Sequence, residues 1–337
     1  MVAAISVRMN GKAEMAYVGE KPWHGLGQKL TAGMPLEMWI HEAGIDWKVQ
    51  RAKVRYPTSA EGAEKLAFAT WDDRHVLFRS DTKAPLSLVS KDYNIVQPRQ
   101  ILEFFREFAE KNHLVLETAG TLFNGRQYWA MARTTNEIIL PGNDRVRSFV
   151  LLATSCDGSI KTIAKFTSER VVCANTLEVA LHDGMKSIKI SHASKFDETQ
   201  VKLDLGLIDK QWAEFEETLQ ELSTTSVTRE RAIAALVQGF GAPEKYEQDL
   251  AKAKGDTVLA LQDQPNVSGM AKIMKLFDGT GRGSEMKSAK GTEWGLINAV
   301  TEYLDHDYGK DSSNRLSSAW WGPNAVKKSR VMAYLTA

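Results

Sequence analysis

The chain has 337 residues, 43% of them apolar and 25% charged, and its formal net charge is +1. That length supports a large core in two lobes, and the near-neutral balance excludes any argument from overall charge for a polyanionic partner, so a basic surface has to be local. Two cysteines, Cys156 and Cys173, are too few for a disulfide framework or a cysteine-rich zinc site, no apolar run is long enough to span a bilayer, and the N-terminal stretch lacks the apolar core of a secretion signal. These features lead us to expect a protein of the reducing cytoplasm.

Residues 1–20 are small and polar and read as a loosely ordered arm. Lys21-Pro22-Trp23-His24-Gly25-Leu26-Gly27 follows as a shaped loop, with Trp23 as a packing anchor; His24 has no second histidine at ligand spacing. Leu36, Trp39, Ile40 and Ala43 share one face of a helix ended by Gly44. From Asp46 to Tyr56 the pattern alternates, with Trp47, Val49 and Val54 on one side and Lys48, Arg51, Lys53 and Arg55 on the other. Lysines and arginines on a strand protect an edge; the same array suits a groove that tracks a nucleic-acid backbone. Two short strands are expected between Glu64 and Phe78, around a turn at Asp72-Asp73.

Pro98 opens an amphipathic helix whose Ile101, Leu102, Phe104, Phe105 and Phe108 form a core face. A meander of strands then runs from Leu114 to Ala153, with a hairpin turn at Asn124-Gly125. A second hairpin turns at Cys156-Asp157-Gly158-Ser159, and the strand after it leads to Arg170-Val171-Val172-Cys173. A helix is expected to open near Asn175, its cap fixing Arg170 beside the positive end of the helix. Beyond Ser194 the periodicity is helical, over residues 202–222, 229–240, 244–254 and 292–304. The glycine- and serine-rich residues 278–291 read as a mobile loop. The pattern gives an arm at 1–20, an α+β core at 21–193 built on a twisted antiparallel sheet with packed helices, and a mainly helical lobe at 194–337.

No phosphate loop, zinc-binding helix or nucleophile elbow is present; Gly279-Thr280-Gly281-Arg282-Gly283 lacks the strand before it and the Lys-Ser/Thr pair after it. Cys173, in an apolar Val-Val-Cys run, reads as buried and inert. What remains is charge. Between Phe123 and Cys173 seven cations (Arg126, Arg133, Arg145, Arg147, Lys161, Lys165 and Arg170) outnumber four acids (Glu137, Asp144, Asp157 and Glu169), with Tyr128, Trp129, Phe149 and Phe166 among them. Cations for phosphates and flat rings for bases are what a single strand requires.

Several motifs together resemble a phage- and plasmid-encoded family that carries a domain of unknown function, the DUF932 type. They are Trp23-His24-Gly25-Leu26-Gly27, Gly44-Ile45-Asp46-Trp47, Tyr93-Asn94-Ile95-Val96-Gln97, and Gly125-Arg126 with Trp129. Arg170-Val171-Val172-Cys173-Ala174-Asn175-Thr176-Leu177 and Thr292-Glu293-Trp294-Gly295 with Ala299 and Tyr303 complete the set. Where that family has a histidine, this chain has Cys156. The order of elements is similar to that of Rad52-type single-strand annealing proteins, which is an analogy of fold.

The resulting expectation is an ATP-independent protein that binds and anneals single-stranded DNA in phage or plasmid recombination. It would work in the host cytoplasm as a homo-oligomeric ring or filament, without catalysis, cofactor, metal or membrane. The expected phosphate contacts are Lys48, Arg51, Lys53, Arg55, Arg126, Arg133, Lys161, Lys165 and Arg170, with Tyr128 and Trp129 as stacking rings. On this reading, replacing Arg170 and Lys165 by alanine weakens DNA binding with little loss of thermal stability. Two alternatives stand beside it: a metal-dependent enzyme acting on nucleic acid, with Asp144 and Asp157 as the best acidic pair, and a non-catalytic host-interaction or anti-defence protein using the helical lobe.

Overall fold

The computed structural model describes residues 5–8, 10–19, 26–59, 67–110, 114–170, 175–178, 188–192, 208–309 and 317–337. The fold is α+β. Its main sheet has eight strands: β1 (Met15–Val18), β2 (Gln28–Leu30), β6 (Leu114–Leu122), β7 (Gln127–Leu140), β8 (Asp144–Ser155), β9 (Thr162–Arg170), β10 (Asn175–Glu178) and β11 (Ile188–Ile190). The order is β10-β9-β8-β7-β6-β1-β2, and β11 also pairs with β9. Pairing is antiparallel except between β1 and β2. The stretch expected to be a loose arm thus supplies a strand inside the sheet: Met15–Tyr17 pair with Thr118–Gly120.

The Asn124-Gly125 hairpin forms as the local chemistry requires. Asn124 and Gly125 both take positive φ, 59° and 88°, the left-handed conformation that asparagine and glycine accept most readily. A side chain at Gly125 would also collide with Trp47, because a Cβ there would lie 2.7 Å from the indole.

Alternation along β7 and β8 sends side chains to both faces of the sheet, and both faces are covered. Tyr128, Ala130, Ala132, Val150 and Leu152 pack with helices α1 (Leu36–Glu42) and α2 (Pro98–Glu110). Trp129, Met131, Phe149, Leu151 and Ala153 pack on the other side with Ile5, Met15 and Trp320. Such two-sided burial makes these strands nearly continuous in apolar residues.

A helical lobe follows, with α3 (Ile208–Thr224), α4 (Arg229–Phe240), α5 (Pro243–Lys252), α6 (Thr257–Leu261), α7 (Val267–Lys275), α8 (Glu293–Glu302) and α9 (Pro323–Leu335). Side-chain caps start three of them. Thr228 accepts from Arg231 N, Asp256 from Val258 N and Leu259 N, and Thr292 from Gly295 N. The far end of the β7–β8 hairpin enters this lobe, where Ile138, Leu140 and Val146 join the core around Phe215, Leu236 and Trp294.

Three expectations change. Asn175 does not cap a helix; it opens strand β10 and stands opposite Arg170. Residues 278–291 are not a free loop, because the backbone carbonyls of Arg282 and Gly283 accept from Arg170 and Ser288 donates to Asp144. The region before Phe78 is not two short strands. It is the single strand β4 (Phe68–Arg79), which pairs with β3 (Val49–Pro57) and β5 (Pro85–Ser90) in a separate three-stranded sheet, in the order β3-β4-β5. Trp23, His24 and Cys173 lie outside the described residues.

Candidate nucleic-acid interface

The sheet cations and aromatics named from the sequence are mostly inside the protein. Tyr128 is fully buried and its hydroxyl donates to the carbonyl of Val96; burial pushes its phenol well above the usual value. Trp129 is equally buried, edge-on to Trp320 with ring centres 5.7 Å apart. Neither ring can meet a base. Lys165 is buried and donates to the carbonyl of Trp320.

Arg170 is the most enclosed of these cations. Its guanidinium grips Asp144, with Nε–Oδ1 at 2.9 Å and Nη2–Oδ2 at 2.7 Å, and both side chains are excluded from solvent. Asp144 Oδ2 also accepts from Ser288 Oγ at 2.6 Å and from Trp294 Nε1 at 3.1 Å. Two charges taken out of water require such saturation by hydrogen bonds. The cluster ties β8 and β9 to the helical lobe through the Thr292-Glu293-Trp294-Gly295 motif, and it leaves Arg170 turned away from any phosphate.

The same cluster removes Asp144 as a metal ligand, and Asp157 sits past the opposite end of the twelve-residue strand β8, so the two acids never meet. No group of three His, Cys, Asp or Glu side chains that could hold a metal ion occurs among the described residues. At Cys156, burial pushes the thiol up to about 12, which leaves no thiolate to act as a nucleophile.

A third buried cation, Arg79, was not anticipated. Arg79, at the end of β4, donates to both oxygens of Glu14 (3.0 and 2.7 Å) and to both of Asp81 (3.0 and 2.8 Å). Its guanidinium carbon lies 4.2 Å from the centre of the Trp47 ring. Burial works to raise the Asp81 carboxyl, but the hydrogen bonds from Arg79 prevail and hold it below the usual carboxylate range. Arg79 therefore fastens the base of the three-stranded sheet to Glu14, the residue before β1, and, through Trp47, to the Gly125 turn.

Beyond that anchor the sheet projects. Among the described residues, Val54–Pro57 and Phe68–Trp71 pair only with each other, so the outer part is a two-stranded ribbon. Asp72, Asp73 and Arg74 have no partner on β3, because the register jumps from Lys53 opposite His75 to Val54 opposite Trp71. Alternation puts Arg51, Lys53 and Arg55 on the side that continues from buried Val49, and all three are exposed. Arg51 donates to the carbonyls of Lys91 and Tyr93, and Lys53 lies 3.3 Å from exposed Asp72. Tyr56, Phe68 and Trp71 are 50%, 57% and 46% exposed.

Residues 48–91 hold nine Lys and Arg against five Asp and Glu, so a chain of net charge +1 concentrates positive charge here. Lys48, Arg126 and Lys161 are also exposed, Lys48 at the ribbon base and the other two at hairpin turns, whereas Arg133 is half-buried and paired with Glu117 at 2.6 Å. Of the residues named from sequence, the structure gathers Arg51, Lys53 and Arg55 on β3, with Lys48 immediately before it. The rings beside them, Tyr56, Phe68 and Trp71, were missed. Their signal was an aromatic set in a polar run, Thr70-Trp71-Asp72-Asp73-Arg74 above all, where no core is available to take it.

No helix among the described residues is long and apolar enough to cross a membrane. Comparison with curated proteins and with solved structures finds no match. Residues 85–321, well over half of the chain, match the family described as "Domain of unknown function (DUF932)", and the chain belongs to that family.

Proposed function

We propose that this protein binds nucleic acid without sequence preference, through the β3–β4 ribbon, and that the binding serves annealing of single strands. The observation that carries the reading is the ribbon itself: β3 carries Arg51, Lys53 and Arg55 on alternate exposed positions running toward an outer two-stranded end, where three rings are exposed. Cations along an extended element follow a phosphate backbone, and aromatic rings accept any base, so neither reads sequence. Annealing by such a protein needs no nucleotide hydrolysis; it needs a strand held with its pairing edges free. The homo-oligomer expected from the resemblance would place several ribbons along one strand and multiply a weak contact.

The test is fluorescence anisotropy with labelled single-stranded and double-stranded oligonucleotides of equal length over a salt series. Binding that favours the single strand and weakens linearly in log salt supports the reading. Absence of binding at low salt, or a preference for duplex, contradicts it.

A further inference from the structure

The three-stranded sheet has a second side that the anchor and the phosphate-facing cations do not use. Opposite the side of Val49, Arg51, Lys53 and Leu77, alternation presents Ala52, Val54 and Tyr56 from β3, Trp71, Val76 and Phe78 from β4, and Leu88 from β5. These are neighbours across the strands: Val54 faces Trp71, Ala52 faces Val76, and Val76 faces Leu88. None is fully buried, and Leu88 is 54% exposed. A contiguous apolar face left in water marks a binding site.

Two cations stand on this same side. The guanidinium of Arg74 lies 5.8 Å from the centre of the Trp71 ring, and Lys83 Nζ lies 6.0 Å from that of Phe78. A second copy packed face to face would bring an equally cationic ribbon against this one, like charge on like. A polyanion with flat apolar rings meets both demands, because its phosphates pair with the cations while its rings cover the aromatics.

We propose that this outward face, centred on Trp71 and Tyr56, is a stacking platform for unpaired nucleobases and is the source of discrimination between single strands and duplex. The proposal rests on the nucleic-acid reading above and specifies the substrate feature recognised. Because β3 is the edge strand, a single strand wrapped over that edge lays bases on Trp71 and Tyr56 while its phosphates reach Lys53 and Arg55 on the other side. Bases in a duplex are already stacked and paired and cannot enter this arrangement without unstacking.

The decisive probe is a strand that keeps its phosphates and lacks its bases. Anisotropy at fixed low salt would compare an oligothymidylate, an abasic oligonucleotide of equal length, and the corresponding duplex. The wild-type chain is expected to bind oligothymidylate about tenfold more tightly than the abasic strand, the scale of one base stacked on one ring. Trp71→Ala is expected to erase that difference while leaving abasic binding unchanged. Should that variant fail to fold, Tyr56→Ala on the same face carries the same comparison. Equal binding of the two strands by the wild type overturns this inference alone, as does a difference that survives both substitutions. Loss of self-association on Trp71→Ala, by sedimentation, with DNA binding intact, also overturns it and marks the face as a protein contact. If no oligonucleotide binds, the nucleic-acid reading falls with it.

Discussion

Strands β8 and β9 and the β3–β4 ribbon both carry cations at intervals along extended chain, yet the two regions have opposite surroundings. Strand β9 lies within an eight-stranded sheet covered on both faces, and its cations at Lys165 and Arg170 are enclosed by protein partners. Among the described residues the outer part of the ribbon pairs with nothing but itself, and Lys53 and Arg55 are exposed. A cation inside a fold has to be neutralised there, so it acts as a fastener. A cation on a projecting ribbon keeps its charge for a partner. The Arg170–Asp144 cluster is therefore assigned to stability and the ribbon to recognition.

The largest expected effect comes from breaking the fastener. Asp144→Ala leaves the Arg170 guanidinium buried without its counter-charge, and the loss of stability is expected to be about 3–5 kcal/mol by denaturant unfolding. Replacing Arg170 and Lys165 by alanine is likewise expected to lower stability, the reverse of what the sequence suggested for that pair. Any of the folded fraction that survives should still bind nucleic acid as the wild type does.

The ribbon responds in the other direction. Replacing Arg51, Lys53 and Arg55 together by alanine is expected to weaken binding and to lower the magnitude of the salt slope by about 2, from three lost phosphate contacts at about 0.7 each. Thermal unfolding should move little, because such surface changes each stay within about 0.5 kcal/mol. A smaller effect is expected at the joint between the regions. Gly125→Ala adds a Cβ against Trp47 at a residue held at φ 88°, and should cost about 1–3 kcal/mol of stability while leaving the salt slope unchanged.

Acid sharpens the same contrast with the least effect per group. Hydrogen bonds from Arg79 hold the Asp81 carboxyl below its usual range against burial, and hydrogen bonds from Arg106 do the same for Glu103. A depressed carboxylate contributes stability that is complete above its unfolded-state value and is lost as pH falls through the folded-state value. Stability should therefore decline below about pH 4, and Asp81→Asn should flatten that decline. Binding to nucleic acid should follow the folded fraction through this window.

How far the sequence could be read depended on the range of the forces involved. The Asn124-Gly125 hairpin and the apolar face of α2, with Ile101, Leu102, Phe104 and Phe105 all buried, follow from local chemistry and periodicity and were legible. The alternation along β3 was misassigned: Val49 shares its side with Arg51, Lys53 and Arg55, which are exposed because that side leaves the core beyond Val49. Asn175 misled because its side chain suits a helix cap, whereas its fate was set by pairing with Arg170 in β9. Trp129 misled because an antiparallel sheet usually keeps one face wet, and here the segment around Trp320 covers the second face from nearly 200 residues away in the chain, while Tyr128 lies on the face that α1 and α2 cover. Nothing local to Arg170 announced Asp144, Ser288 and Trp294 as its surroundings.

The most direct test of the division between the two regions is ultraviolet cross-linking of the full chain to a single-stranded oligonucleotide, with the modified peptides located by mass spectrometry. The account predicts adducts on Tyr56, Phe68 or Trp71 and none on Tyr128, Trp129 or Phe149. Adducts concentrated on strands β7 to β9, with the ribbon unmodified, would contradict it.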